Sequence, residues 1–238
     1  MPAAFEDIMA RLIASDVPIL LPDTCILLDL VRSPRRPEVT VGSITAARRL
    51  VNAITMDQTI TCILIDQIRD ELIRNRPDIQ EDADKGVTKL EGELRRIADW
   101  TTGQEIAADV DVSHMRAGIL HARTLLDNWV LAASTINATQ DHRARAGLRI
   151  GQARAPSRRG KDSYADCLIV EASIAIARTL RSSGYGHTIL FASSNLEDFC
   201  DRSSRGLRDE LAEDFGEDGV DITYARNLEE AAYRLGLR

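Results

Sequence analysis

Several carboxylates in this chain stand where short apolar runs end. Asp23 follows Leu20-Leu21-Pro22 and precedes Thr24-Cys25-Ile26. Asp66 follows the run ITCILI, and Glu71 lies about one helical turn further on. Ser193, Ser194, Asn195 and then Asp198 follow TILFA. Asp162 and Asp166 are four residues apart at the head of an apolar helical pattern, which puts them on one helix face. Carboxylates gathered at one place repel one another strongly when water is excluded. A bound divalent cation relieves that repulsion, and Mg²⁺ or Mn²⁺ prefers hard oxygen donors. A cation held by a few carboxylates activates water and stabilises charge on a phosphodiester.

Each acid also has a plainer role open to it. Asp66 and Asp162 fit helix caps, and Asp29 and Asp70 read as surface or local helix charges. Glu71, beside Asp70 and Arg69, fits a solvated helix charge. Asp23 and Asp166 are harder to explain in this way. Their neighbours are apolar, and a buried unpaired charge is costly. The four histidines, His114, His121, His142 and His187, lie away from these run ends and are read as non-catalytic.

The elements that must position these acids are legible from composition. Pro18–Pro22, Ile60–Ile65, Thr188–Ala192 and Val220–Tyr224 are short and rich in β-branched residues, as strands are. Three are nearly continuous apolar runs, the mark of a parallel sheet covered on both faces. Helical patterns lie between them. One is capped by Ser43, one by Asp66 with Ile68, Leu72 and Ile73 inward, one covers Thr88 to Trp100, and one opens at Ser113 with Met115, Ile119, Leu120, Leu125, Leu126 and Trp129 as its apolar residues. Another covers Asp162–Leu180, and Asn227–Leu237 closes the chain. An amphipathic helix precedes the first strand. The expected fold is α/β, a doubly wound parallel sheet of about four to five strands in a single domain. Residues 76–161 read as a helical insertion with no clear strand.

The chain has 238 residues and a net charge of −7, which argues against coating nucleic acid or membrane by bulk charge. That balance hides a local reversal. His142–Lys161 holds six Arg, one Lys and no acid, and it enters directly before Asp162. It is read as a flexible segment that grips RNA phosphates with Arg154, Arg158, Arg159 and Lys161. Aromatic residues are only 4% of the chain, so stacking on bases is not evident. No run of about 20 apolar residues suggests a membrane span. The four cysteines show no CxxC spacing and read as reduced thiols of a cytoplasmic protein.

Taken in order, Asp23-Thr24-Cys25, Asp66-x-Ile68-x-x-Glu71-Leu72, Asp166-Cys167-Leu168-Ile169 and Ser193-x-Asn195-x-x-Asp198-Phe199 resemble the PIN domain. That family comprises metal-dependent ribonucleases and includes VapC-type toxins. The resemblance covers roughly residues 17–72 and 160–225. It implies that Asp23, Glu71 and Asp166 hold Mg²⁺ or Mn²⁺, with Asn195 or Asp198 at a fourth position. Asn195 stands where many members have Asp. Asp162 is an added ligand or orients Lys161. Thr24, Ser193 and Ser194 would hydrogen-bond a ligand or a carboxylate.

The function expected on this basis is endoribonuclease activity on an RNA substrate, in a toxin-like protein whose extra helices hold an antitoxin, form a homodimer or clamp the substrate. Two other readings remain open. One is a catalytically degenerate module that binds RNA or a protein partner. The other is a haloacid-dehalogenase-like phosphatase, although Cys25 stands where that chemistry wants a second Asp.

Overall fold

A computed structural model of the chain describes residues 5–32, 40–103, 113–160, 163–201, 203–217 and 220–237. Lys161 and Asp162 lie outside the described residues. The apolar runs form β1 (Ile19–Pro22), β2 (Thr61–Ile65) and β4 (Ile189–Ala192), and a fourth segment forms β5 at Thr223–Ala225. They join β3 (Ser134–Ile136) in one five-stranded sheet of order β3-β2-β1-β4-β5. Every pairing is parallel. Every residue of β1 and β4 is buried, so both faces of the sheet are covered, as the continuous apolar runs require.

Two groups of helices supply that cover. In one, α3 (Val41–Thr55) packs with α5 (Ser113–Ala132) and α10 (Leu228–Arg234). In the other, α7 (Tyr164–Ser182) packs with α1 (Phe5–Ser15), α6 (Gln140–Gly151) and α9 (Asp209–Gly216). The first group draws on Leu50, Val51, Leu126 and Trp129, and the second on Ile8, Met9, Leu12, Leu168, Val170 and Leu211. The Trp129 indole N–H also donates to Cys62 Sγ in β2, 3.2 Å away, which ties α5 to the sheet. The molecule is therefore an α/β protein built on an all-parallel sheet.

Residues 76–161 are not purely helical, contrary to expectation. β3 lies among them and pairs Ile63 with Ser134 and Ile65 with Ile136. The strand escapes notice in the sequence because Ser134-Thr135-Ile136 is short, sits at the sheet edge and buries only Ile136. The patterns at Asp66 and Thr88 merge into one helix, α4 (Asp66–Thr102), which runs through Pro77. At 37 residues it is about 55 Å long. Its middle packs Ala83 and Val87 on Ile119 of α5 and forms an antiparallel helical arm. Ile73 and Leu120, both expected inward, are 75% and 63% exposed. Leu72 takes the inward position on α4, and its neighbour is turned about 100° away.

Two helix starts also differ. The cap of α3 is Thr40, whose Oγ1 accepts from Ser43 N; Ser43 lies within the helix. Asp66 is the first residue of α4, and its Oδ1 accepts from Gln67 N and from Ala138 N. That second bond fastens the end of β2 to the connection after β3. The basic segment is ordered rather than loose, since its first half is α6, which opens with Thr139 and His142 in a reciprocal capping box.

Candidate active site at the carboxyl edge of the sheet

The sheet order reverses direction between β1 and β4. From β1 the chain moves out through β2 to β3, whereas β4 and β5 lie on the other side. In open α/β sheets the crevice outside the strand carboxyl ends at this switch point is where ligands bind. Pro22 and Ala192 are paired in register, so Asp23 and Ser193 are the first residues past the two strands.

Asp23 is 2% exposed and is the cap of α2 (Thr24–Leu28). Its Oδ1 accepts from Thr24 N at 2.7 Å. Its Oδ2 accepts from Ser193 Oγ and from Cys25 Sγ, each at 2.8 Å. Backbone amides of the loop after β4 meet these same side chains. Ser194 N donates to Cys25 Sγ at 3.2 Å, and Asn195 N donates to Ser193 Oγ at 3.2 Å. The Thr24 hydroxyl donates to Glu71 Oε2 in the second turn of α4. Glu71 is thereby fixed within range of the Asp23 charge.

Both carboxyls are held above the ordinary carboxylate range. For Asp23 the cause is burial, which outweighs the bonds from Cys25, Ser193 and Thr24. For Glu71 it is burial, with the Asp23 charge adding to it and the Thr24 bond and the more distant Arg74 opposing it. Among the described residues, no Lys, Arg or His forms an ion pair with either group. Cys25 is pushed well above the usual thiol range by burial and by the Asp23 charge, so it is a neutral thiol donor.

The loop after β4 carries a different kind of contact. Asp198 lies in α8 (Leu196–Phe199) with its side chain fully buried. Its Oδ1 meets Arg158 Nη2 at 2.6 Å, and its Oδ2 accepts from Asn195 Nδ2 at 2.6 Å. Arg158 Nη1 also reaches Glu197 Oε1 at 2.8 Å.

The structure therefore brings together Asp23, Thr24, Glu71, Ser193, Ser194 and Asn195, and sets Asp198 and Arg158 beside them. The hydroxyls of Thr24 and Ser193 are engaged on the two carboxylates. The Ser194 hydroxyl is buried and has no hydrogen-bond partner among the described residues. Asp166 is half-buried in the first turn of α7. That turn points toward the same sheet edge, because the helix must run back to the start of β4. Among the described residues, no three His, Cys, Asp or Glu side chains gather as a metal-holding group. Arg159 is exposed.

Other parts of the basic stretch are taken up in the fold. Arg143 pairs with Asp66, Arg145 with Asp141, Arg149 with Glu171 and Asp214, and Arg154 with Asp214. Sequence reasoning did not assign Cys25 a role at the site or Glu197 a role beside it. The signal for Cys25 was its place two residues after the strand-end Asp. Glu197 had none, since its partner Arg158 is 39 residues away.

A cavity of about 430 Å³ lies elsewhere, lined by Val31, Ile44, Val87, Leu90, Met115 and Ile119 among others. Its lining is mostly apolar, with Arg32, Arg48, His114 and His121 as its polar members, and among the described residues no carboxylate lines it. Comparison of the chain with protein-family models, with curated proteins and with solved structures found no match. Among the described residues, no helix is long and apolar enough to cross a membrane.

Proposed function

We propose that the chain is a divalent-metal-dependent endoribonuclease whose centre is the Asp23–Glu71 pair at the carboxyl edge between β1 and β4. The observation that carries this reading is the buried Asp23, linked through Thr24 to a second acid, with no ion pair to either among the described residues. A structural carboxylate this deep is ordinarily paired. The donor set is hard oxygen, and Mg²⁺ typically binds through one or two carboxylates while keeping several waters. Asp23 and Glu71 fit that group in kind, with Asn195 beside them. Asp166 and Asp162 are proposed to approach from the head of α7.

When bound, the cation would supply an activated water and charge stabilisation at the phosphate. The chain's own residues do the rest. Ser193, Cys25 and the Thr24 amide fix the Asp23 carboxylate, so it need not reorganise when a ligand arrives. Thr24 holds Glu71 to the same side. Arg159, and Lys161 outside the described residues, are proposed to attract the RNA backbone.

The test is cleavage of RNA by purified protein with Mn²⁺. Wild type should cut, and Asp23→Asn and Glu71→Gln should each lose at least about 100-fold in rate, in line with loss of a group acting in the transition state. Equal activity in Asp23→Asn, or none in wild type with any divalent metal, would remove the assignment.

One observation favours a second reading. Asp198 is engaged by Arg158. That contact fits a degenerate module that binds RNA without cutting it. RNA binding that persists in EDTA, without cleavage, would select that reading.

A further inference from the structure

The helical arm and the body of the molecule keep separate cores. Ala83 and Val87 of α4 pack on Ile119 of α5, with Met115 beside them, and this small cluster does not merge with the main core. The cavity of about 430 Å³ lies along that seam. Leu30, Val31 and Leu125 line it from the main core, and Val87, Met115 and Ile119 from the arm. Protein interiors pack closely and leave few voids larger than a water molecule. A space of this size belongs instead with pockets that hold small ligands, and apolar walls favour an apolar guest over water. Gly118 helps to keep it open. It lines the cavity from within α5, where glycine is a poor helix former, and a Cβ there would meet no heavy atom within 4 Å beyond its own helix.

The polar members of the lining share one sign. Arg32 and Arg48 stand with His114 and His121, and no carboxylate lines the cavity among the described residues. Arg32 is paired with Asp29 at 2.5 Å. Arg48 lies four residues after Ile44, hence on the same face of α3. It is exposed and forms no ion pair among the described residues. In a chain of net charge −7, a lining with two guanidinium groups and no acid is a local reversal. No Phe, Tyr or Trp lines the cavity among the described residues, so a nucleotide base finds no ring of that kind to stack on. Apolar walls with a cationic rim suit an alkyl chain that ends in a carboxylate. The chain leaves water, and a guanidinium fork matches the two carboxylate oxygens.

We propose that this cavity binds a medium-chain fatty acid, with the alkyl chain between α3, α4 and α5 and the carboxylate at Arg48. The proposal stands apart from the metal reading, since neither Asp23 nor Glu71 lines the cavity.

The test is titration calorimetry of the full chain with sodium decanoate in EDTA. Wild type should bind with a dissociation constant below about 100 μM, within reach of a ligand of that size. Octanoate should bind about 15-fold more weakly, or about fourfold for each methylene lost. Decyltrimethylammonium, with the same chain and the opposite charge, should not bind. Arg48→Gln should weaken decanoate binding about tenfold. Gly118→Phe fills the space and should abolish binding. No decanoate binding by wild type overturns the proposal. So does equal affinity for the cationic amphiphile, or wild-type affinity in Arg48→Gln or in Gly118→Phe. A wild-type dimer that Gly118→Phe splits, seen by sedimentation, would place a second copy on the cavity and overturn the proposal as well. If Gly118→Phe does not melt cooperatively, Arg48→Gln carries the test, because Arg48 is exposed and stands outside the core.

Discussion

Two regions of this molecule bury carboxylates, and they do so under opposite conditions. Between α6, α7 and α9, Arg149 is 4% exposed and bridges Glu171 and Asp214 at 2.5 and 2.8 Å. Arg154 meets the other oxygen of Asp214 at 2.6 Å. Burial alone would raise Asp214, but Arg154 and Arg149 outweigh it and hold its carboxyl below the ordinary range. At the carboxyl edge Asp23 is more deeply buried still, its partners are two hydrogen-bond donors of neutral side chains and one amide, and its carboxyl is held above that range. Burial raises both acids, so burial alone does not separate them. The sign of the partner is the guide, because guanidinium groups make an acid part of the frame and their absence leaves an acid that the frame does not neutralise.

The largest effect should come from breaking the frame. Arg149→Met leaves Glu171 buried without its guanidinium and should cost about 3–5 kcal/mol in urea unfolding. A loss below about 1 kcal/mol would place this network among weak surface pairs and blur the contrast. The next effect belongs to the edge. Mn²⁺ at 100 times its dissociation constant should stabilise wild type by about 2.7 kcal/mol and leave Asp23→Asn unchanged. Equal stabilisation of both proteins would move the ion away from Asp23.

The two regions should also differ in the sign of their response to pH. Asp214, depressed below 3.8, contributes stability that is present above 3.8 and lost as pH falls through its folded value. Asp214→Asn should flatten that acid limb. Asp23 is raised above 3.8, so between 3.8 and its folded value the native state holds more protons than the unfolded chain. Stability there falls as pH rises, and Asp23→Asn should remove the slope. Matching slopes in the two variants, followed by thermal melts from pH 2 to pH 7, would break the comparison.

The smallest effect concerns a residue on neither side. Thr139 accepts from His142 N at the head of α6. Thr139→Ala should cost about 1 kcal/mol and leave Mn²⁺ affinity unaltered.

Much of the sheet was open to reading from composition. ILLP, TCILI and ILFA are apolar at every position or nearly so, and only burial on both faces accounts for that. β3 was hidden because an edge strand of three residues needs no apolar run. The continuity of α4 was hidden because Pro77 signals a stop, whereas packing of Ala83 and Val87 on α5 carries the helix past it. Within the site, Asp23 was legible as a polar residue set among apolar ones at the end of a strand. Glu71 was separated from Asp70 only by the motif resemblance, since its own neighbours leave it a solvated helix charge. Its selection depends on Thr24, 47 residues earlier, whose hydroxyl reaches it only after β1 and β2 have paired.

The sequence by itself determined which segments must be buried and which acids stand at their ends, because hydrophobic periodicity and local residue type act over a few residues. Only the tertiary structure decided which acids meet cations. Arg149, Arg154 and Arg158 belong to one basic stretch of the chain, yet folding sends the first two to Asp214 and the third to Asp198. None reaches Asp23 or Glu71. Charge pairing depends on distances of a few ångströms between residues far apart in the chain, and those distances exist only once the sheet and its helices have closed around them.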